Sequence, residues 1–234
     1  MRVSFLQRLL DLTNPRACAV CGERLGAEET LFCTVCLLHL PLTDFLTQPD
    51  DNPMTQMFWG RLPVEKAYAL MYYTAHATSS YPVYKLKYLN APEIGVELGR
   101  YVGKRLCKAG FFSDIDALVP VPLTRQHQRK RGYNQSQMIA EGIAEESQLP
   151  IWNHVVRRKS FHSSQTNKGR LERAANVEGA FELIDTDKIR GAHVLIVDDV
   201  VTTGATVCSL GKEMRKAEDV RISLVSIGFA NEQR

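Results

Sequence analysis

The chain has 234 residues, with 29 Lys+Arg against 26 Asp+Glu for a formal net charge of +3, and 44% of its residues are hydrophobic. That composition fits one large globular domain, or a medium domain with a small accessory module, and excludes a disordered or collagen-like chain. No apolar run approaches the roughly 20 residues that a membrane-spanning helix needs. Gln7, Arg8 and Asp11 interrupt the opening apolar run, so it does not read as a secretory signal; a cytoplasmic protein without membrane insertion is expected.

Residues 1–40 hold two Cys-x-x-Cys knuckles, Cys18/Cys21 and Cys33/Cys36, eleven residues apart. A redox dithiol would account for one knuckle but not for two. Paired knuckles in a reducing compartment predict a four-thiolate structural Zn²⁺ site, because two short turns can bring four sulfurs into a tetrahedron. Such a ribbon is too small to hold a core, so the metal supplies much of its folding free energy. Cys107 and Cys208 stand alone and are expected to be small buried residues.

Residues 41–112 read as a connecting region. Positions 41–63, rich in Asp, Thr, Gln, Asn and Pro, predict an irregular connection. An apolar, aromatic run follows at 67–73, of strand length. Helical spacing then covers 83–108 in two pieces, broken around Asn90-Ala91-Pro92. Residues 113–234 alternate strand and helix, with strands predicted at 117–121, 151–156, 193–197 and 222–228 and helices at 135–146 and 206–216. The fold class is therefore α/β, a parallel sheet flanked by helices and preceded by a four-cysteine ribbon. The polar stretch 157–176 has no place in that alternation, and loops of such length are usually functional lids or binding loops.

Charge is uneven. Between 120 and 173 ten Lys/Arg stand against four acids, an excess of six positive charges. Arg125, Arg129, Lys130 and Arg131 follow one predicted strand; Arg157, Arg158, Lys159, Lys168, Arg170 and Arg173 follow the next. Ligands of open α/β sheets bind on that side, so a polyphosphate or polyanion is the expected partner. His127 and His162, among basic residues, read as solvated side chains rather than general bases. Tyr133 and Phe161 read as packing their loops down before they read as stacking on bases.

The most informative segment is His193-Val-Leu-Ile-Val-Asp198-Asp199-Val-Val-Thr202-Thr203-Gly204-Ala205-Thr206. An apolar strand delivers two adjacent carboxylates, and a Thr/Gly turn then opens a helix. Backbone N–H groups at such a turn, with the threonine hydroxyls, make a phosphate site. Two acids beside a phosphate are self-defeating unless they also bind hydroxyls or a cation, and the combination points to a sugar phosphate. Residues 194–206 resemble the phosphoribosyl pyrophosphate (PRPP) signature of type I phosphoribosyltransferases. Nearly the whole chain resembles one branch of them, the ComF (GntX-like) family associated with DNA uptake and utilisation. The resemblance includes the four cysteines, Tyr84-Lys85-Leu86-Lys87-Tyr88, and Val119-Pro-Val-Pro122 followed by Arg131-Gly-Tyr-Asn-Gln135. It extends to Gln165, Arg170, Arg173 and Asn176; Tyr133 departs from the family's usual Phe.

The resemblance implies that Asp198 and Asp199 hold the ribose hydroxyls and, with Arg157 and Arg158, form the catalytic group. It implies a PRPP loop of Asp198, Asp199, Val200, Thr202, Thr203, Gly204, Ala205 and Thr206, with Thr202 to Thr206 on the 5′-phosphate. Arg125, Arg129, Lys130 and Arg131 would face pyrophosphate or nucleic acid. Lys168, Arg170 and Arg173 would share that role on a mobile hood. Mg²⁺ would accompany PRPP, and Zn²⁺ would be structural. The expected activity is phosphoribosyl transfer to an acceptor the sequence does not identify; the alternative is a non-catalytic module that binds single-stranded DNA, with PRPP as a structural or regulatory ligand. Partners on these readings are PRPP, single-stranded DNA and the DNA-uptake machinery.

Overall fold

Four strands form a parallel sheet: β1 (Ala67–Tyr72), β2 (Ala117–Pro120), β5 (His193–Val201) and β6 (Arg221–Phe229), in the order β1-β6-β5-β2. The computed structural model describes residues 16–159 and 179–230. The two central strands are largely buried, which is why 194–197 reads as a continuous apolar run rather than as alternation. The sequence places the end of the third strand at 197, but β5 continues to Val201, pairing Val200 with Gly228 and Val201 with Phe229. Asp198 and Asp199 are thus held in the ladder itself.

Helices α3 (Tyr81–Tyr88) and α4 (Pro92–Lys108) are the two pieces expected around Asn90-Ala91-Pro92, and α6 (Gln135–Ser147) packs across β2 and β5. The pair α4/α6 crosses closely. Gly95, Gly99 and Gly103 stand every fourth residue along the buried face of α4. A Cβ on Gly99 would collide with the Ile139 carbonyl oxygen, and one on Gly142 with that of Val96. Small residues at these positions let the two backbones touch. Cys107 sits one step off that buried face and is exposed, contrary to expectation, whereas Cys208 is buried as expected.

Other expectations need correction. Residues 151–156 do not form a sheet strand. Ile151 makes a single parallel bridge to Leu118; a turn at Asn153-His154 then leads into β3 (Val156–Arg158), which pairs antiparallel with β4 (Phe181–Leu183). Residues 41–63 are mostly irregular, as expected, but they are more than a connection. They contain the short helix α2 (Pro53–Gln56), closed by a capping box between Asn52 and Thr55, and they bury Phe45, Met54, Phe58 and Leu62. Their polar residues serve as caps while the apolar ones enter the core. The basic segment after β2 is helical, α5 (Arg125–Arg131). The remaining α-helices among the described residues are α1 (Thr34–His39), α7 (Thr186–Ile189) and α8 (Ala205–Met214). Among the described residues no helix is long and apolar enough to cross a membrane. Phe161, His162, Gln165, Lys168, Arg170, Arg173 and Asn176 lie outside the described residues.

Candidate functional site

Asp198 and Asp199 are adjacent on β5, so their side chains leave opposite faces of the strand. Asp198 turns to α6, where the Ser136 hydroxyl donates to Oδ1 at 3.2 Å; the Asp199 N–H donates to the same oxygen at 2.9 Å. Asp199 turns to α3, where Lys87 Nζ lies 3.1 Å from its Oδ1. Burial, then the neighbouring Asp199 charge, pushes the Asp198 carboxyl up to about 7, against the pull of Lys87 and these hydrogen bonds. One ammonium facing two carboxylates leaves the pair short of positive charge. Such a pair suits hydroxyl donors or a divalent cation with oxygen preferences.

Past Val201 the chain turns through Thr202, Thr203 and Gly204 into α8. Gly204 adopts φ +70°, a region open to glycine and costly for other residues. It also lies against Phe58: a Cβ there would come within 2.8 Å of the Phe58 ring. Arg61 donates to the Thr203 carbonyl at 2.9 Å. Phe58 and Arg61 both belong to the segment between α2 and β1, so that segment is the platform beneath the turn. The turn presents exposed Thr202 and Thr203 and the first N–H groups of a ten-residue helix, an arrangement that favours an anion.

A cleft of about 660 Å³ opens between the segment after β2, α6 and the antiparallel ribbon, and its Arg158 feels the charge of Asp198. Its walls include Pro122 and Tyr133 after β2, Gln137 of α6, and His154, Arg158 and Ile184 of the antiparallel ribbon. At its α6 end, Asn134 caps the helix and bonds to the Val121 carbonyl. The buried Gln135 accepts from Arg131 through Oε1 at 2.9 Å, while its Nε2 donor has no partner. A buried donor left unpaired is costly, and a ligand oxygen at this helix start would satisfy it. Burial lowers the Arg158 pKa, with Asp198 opposing that effect. Arg157 also lines the cleft, and its Nη2 lies 2.8 Å from Glu182 across the ribbon. Arg129 is exposed on α5, whereas Tyr133 packs down and donates to the Leu86 carbonyl at 2.6 Å. The structure thus brings the Asp198/Asp199 pair and the Thr/Gly turn to one end of β5, and places Arg157 and Arg158 in the wall of the neighbouring cleft, with Arg131 bonded at the start of α6. Lys87, Gln135 and Ser136 join them; sequence reasoning quoted Lys87 and Gln135 only within motifs and passed over Ser136.

The cysteine cluster lies apart from this opening. An antiparallel bridge between Ala17 and Arg24 frames the first knuckle, and Cys33 caps α1 with its sulfur. Ligand atoms of Cys18, Cys21, Cys33 and Cys36 all lie within 4.8 Å of one another, and the Cys21 and Cys33 sulfurs are 3.8 Å apart. Tetrahedral Zn–S bonds of about 2.3 Å require S···S separations of about 3.8 Å, so the donor set fits zinc. The Cys18 sulfur accepts from the Cys33 N–H at 3.3 Å. Burial raises the Cys18 pKa, but backbone N–H groups, that of Cys33 foremost, outweigh it and bring the thiol down to about 7. Burial and the neighbouring sulfurs drive the Cys36 thiol far upward. Glu29 braces the module by accepting from the N–H groups of Gly26 and Thr34. Phe32 packs edge-on against Tyr101 of α4, with ring centroids 5.3 Å apart.

A second cluster, Glu65, Asp114 and His193, sits at the opposite end of the sheet. It does not fit a metal. Lys66 and Arg221 already pair with its carboxylates, and His193 Nε2 is taken up by the Ser223 hydroxyl at 2.8 Å. Two cations balance two anions there.

Comparison with known proteins gives a consistent family. The phosphoribosyl transferase domain matches residues 115–233, half of the chain. Competence protein F of Haemophilus influenzae is 31% identical over 110 residues, 46% of this chain and 48% of that protein, so the match spans about half of that relative. DNA utilization protein YhgH of Escherichia coli (strain K12) is 28% identical over 203 residues, covering 83% of this chain and 82% of that protein. Competence protein ComFC of Bacillus subtilis is 32% identical over 89 residues, 38% of this chain and 34% of that protein.

Proposed function

The chain belongs to the phosphoribosyl transferase domain family, in its ComF branch, and on that footing we propose that it binds PRPP and transfers its phosphoribosyl group, with Mg²⁺, to an acceptor held in the cleft that Arg158 lines. The observation that carries this reading is the pair Asp198/Asp199 running directly into the Gly204 turn at the start of α8. A 5′-phosphate would take the N–H groups and hydroxyls of that turn. The ribose hydroxyls would donate to Asp198 and Asp199. Pyrophosphate would lie toward Lys87, Arg131 and the buried amide of Gln135.

In the transfer, the bond between the anomeric carbon and pyrophosphate breaks, and the electron pair leaves with pyrophosphate. An acceptor lone pair forms the new bond to that carbon, and the acceptor's proton is released. Negative charge grows on the leaving group, so preorganised cations and N–H donors stabilise the transition state more than the ground state. Asp198 and Asp199 would hold Mg²⁺ at this end of the site, and the ion would supply charge neutralisation for the leaving pyrophosphate. Arg158, beside the cleft, holds positive charge near the reacting centre. Four closely placed cysteines that would serve a structural Zn²⁺ suit a reducing cytoplasm.

A second reading, that the protein engages single-stranded DNA with PRPP as a structural or regulatory ligand, draws on the excess of six positive charges between 120 and 173. It draws also on relatives named for competence and DNA utilization. Following pyrophosphate release from PRPP and Mg²⁺, with and without nucleobases and single-stranded DNA, separates the two. Acceptor-dependent release supports transfer. PRPP binding without release under any acceptor supports the second reading and refutes the first.

A further inference from the structure

Helix α3 has three faces with three uses. Val83 and Leu86 are buried in the core, and Lys87 reaches Asp199. Tyr81, Tyr84 and Tyr88, spaced i, i+3 and i+7, share the outer face and are 38%, 48% and 63% exposed. With Leu89 they make up four of the eight exposed large apolar side chains among the described residues. Such residues scattered singly are ordinary, whereas a contiguous set marks an interaction surface.

The rings form a stair. Tyr81 and Tyr84 stack with centroids 6.1 Å apart and planes within 11°, and Tyr84 meets Tyr88 at 5.1 Å. Cations border the stair at both ends. Lys85 Nζ lies 4.7 Å from the Tyr81 centroid, and the Arg131 guanidinium 5.9 Å from that of Tyr88. Neither α3 nor α5 contains an acidic residue, and Arg129 is exposed on α5. At the Tyr88 end, Arg131 bonds to Gln135, and the neighbouring Ser136 bonds to Asp198. The stair therefore leads to the rim of the cleft.

We propose that the Tyr81-Tyr84-Tyr88 face of α3 is a stacking platform for single-stranded DNA, with Lys85, Arg129 and Arg131 along its backbone; the choice of DNA rests on the second reading above. A partner for this face needs flat apolar surfaces and regularly spaced negative charge together. Unpaired bases on a phosphate backbone provide both, whereas a duplex hides its base faces in its own stack. The rings carry affinity without sequence preference, since every base has a π-face.

The test is fluorescence anisotropy with the full chain at low salt, using labelled oligothymidylate, an abasic oligonucleotide of equal length, and a duplex. Variants replace all three tyrosines by Ala (Tyr81→Ala, Tyr84→Ala, Tyr88→Ala) or by Phe. The expected result is that the wild type prefers oligothymidylate over the abasic strand and the duplex. The Ala variant loses about fivefold or more per engaged ring and no longer distinguishes bases from abasic sites, while the Phe variant retains both properties. Equal binding of oligothymidylate by the wild type and a folded Ala variant would overturn the platform and leave the DNA reading standing. Equal binding of the abasic strand or the duplex by the wild type would overturn it without any variant. No binding of any strand at low salt would overturn both.

Discussion

Two carboxylates on successive residues of a buried strand repel one another, and the fold answers with one partner on each side. Lys87 meets Asp199, and Ser136 meets Asp198. The acids themselves are plain in the sequence because their neighbours form an apolar run and a Thr/Gly turn. Lys87 and Ser136 are not, because they come from α3 and α6 and meet β5 only through tertiary packing. Four cysteines at 18, 21, 33 and 36 are the opposite case, since local turns alone bring them together. Replacing Cys33 with Ser removes one sulfur of that set, while the serine hydroxyl can still cap α1. Metal analysis of anaerobically purified protein is expected to find about one Zn²⁺ per wild-type chain and a large loss in the variant. The sheet domain should remain folded, as read by an unchanged high-temperature unfolding transition. Wild-type protein free of zinc would contradict the assignment.

Among the elements, α4 and α6 show how closely helix packing and the site are joined, because α6 brings Gln135 and Ser136 to the cleft while its other face lies on α4. Gly99→Ala places a methyl group against the Ile139 carbonyl, with backbone on both sides and nowhere to shift. The helices must separate, at a cost of about 1–3 kcal/mol in the usual range for overpacking. Chemical denaturation should show a lower midpoint with an unchanged slope. A midpoint equal to wild type would mean that the crossing is looser than described. Element by element, the sequence is legible where one force dominates. The central strands and α6 carry clean apolar patterns. Helix α5, Arg-Gln-His-Gln-Arg-Lys-Arg, has no apolar face, so periodicity cannot reveal it. Residues 41–63 bury apolar side chains at 45, 54, 58 and 62, of which only the last three share a helical spacing, and their role beneath the Gly204 turn appears only once β5 and α8 are in place. The apolar start of 151–156 suggested a strand, but the turn at Asn153-His154 sends the chain into a separate ribbon.

On the scale of the whole molecule, the sheet divides its charges between two ends. At one, Glu65, Asp114, Lys66, Arg221 and His193 form a balanced network that closes the sheet. At the other, the Asp198/Asp199 pair, the Gly204 turn and the basic segments around Arg131 and Arg158 leave opposite charges in neighbouring positions, short of a ligand that would satisfy both. PRPP has that distribution, with hydroxyls in the middle and phosphates at its ends. The most direct test is calorimetric titration of Mg²⁺–PRPP into the wild type and into Asp199→Ala. The account predicts one site per wild-type chain. Loss of a charge-assisted hydrogen bond, about 1.5–3 kcal/mol, should weaken binding roughly tenfold to a hundredfold in the variant. Equal affinity in the two proteins, or no heat of binding in the wild type, would contradict it.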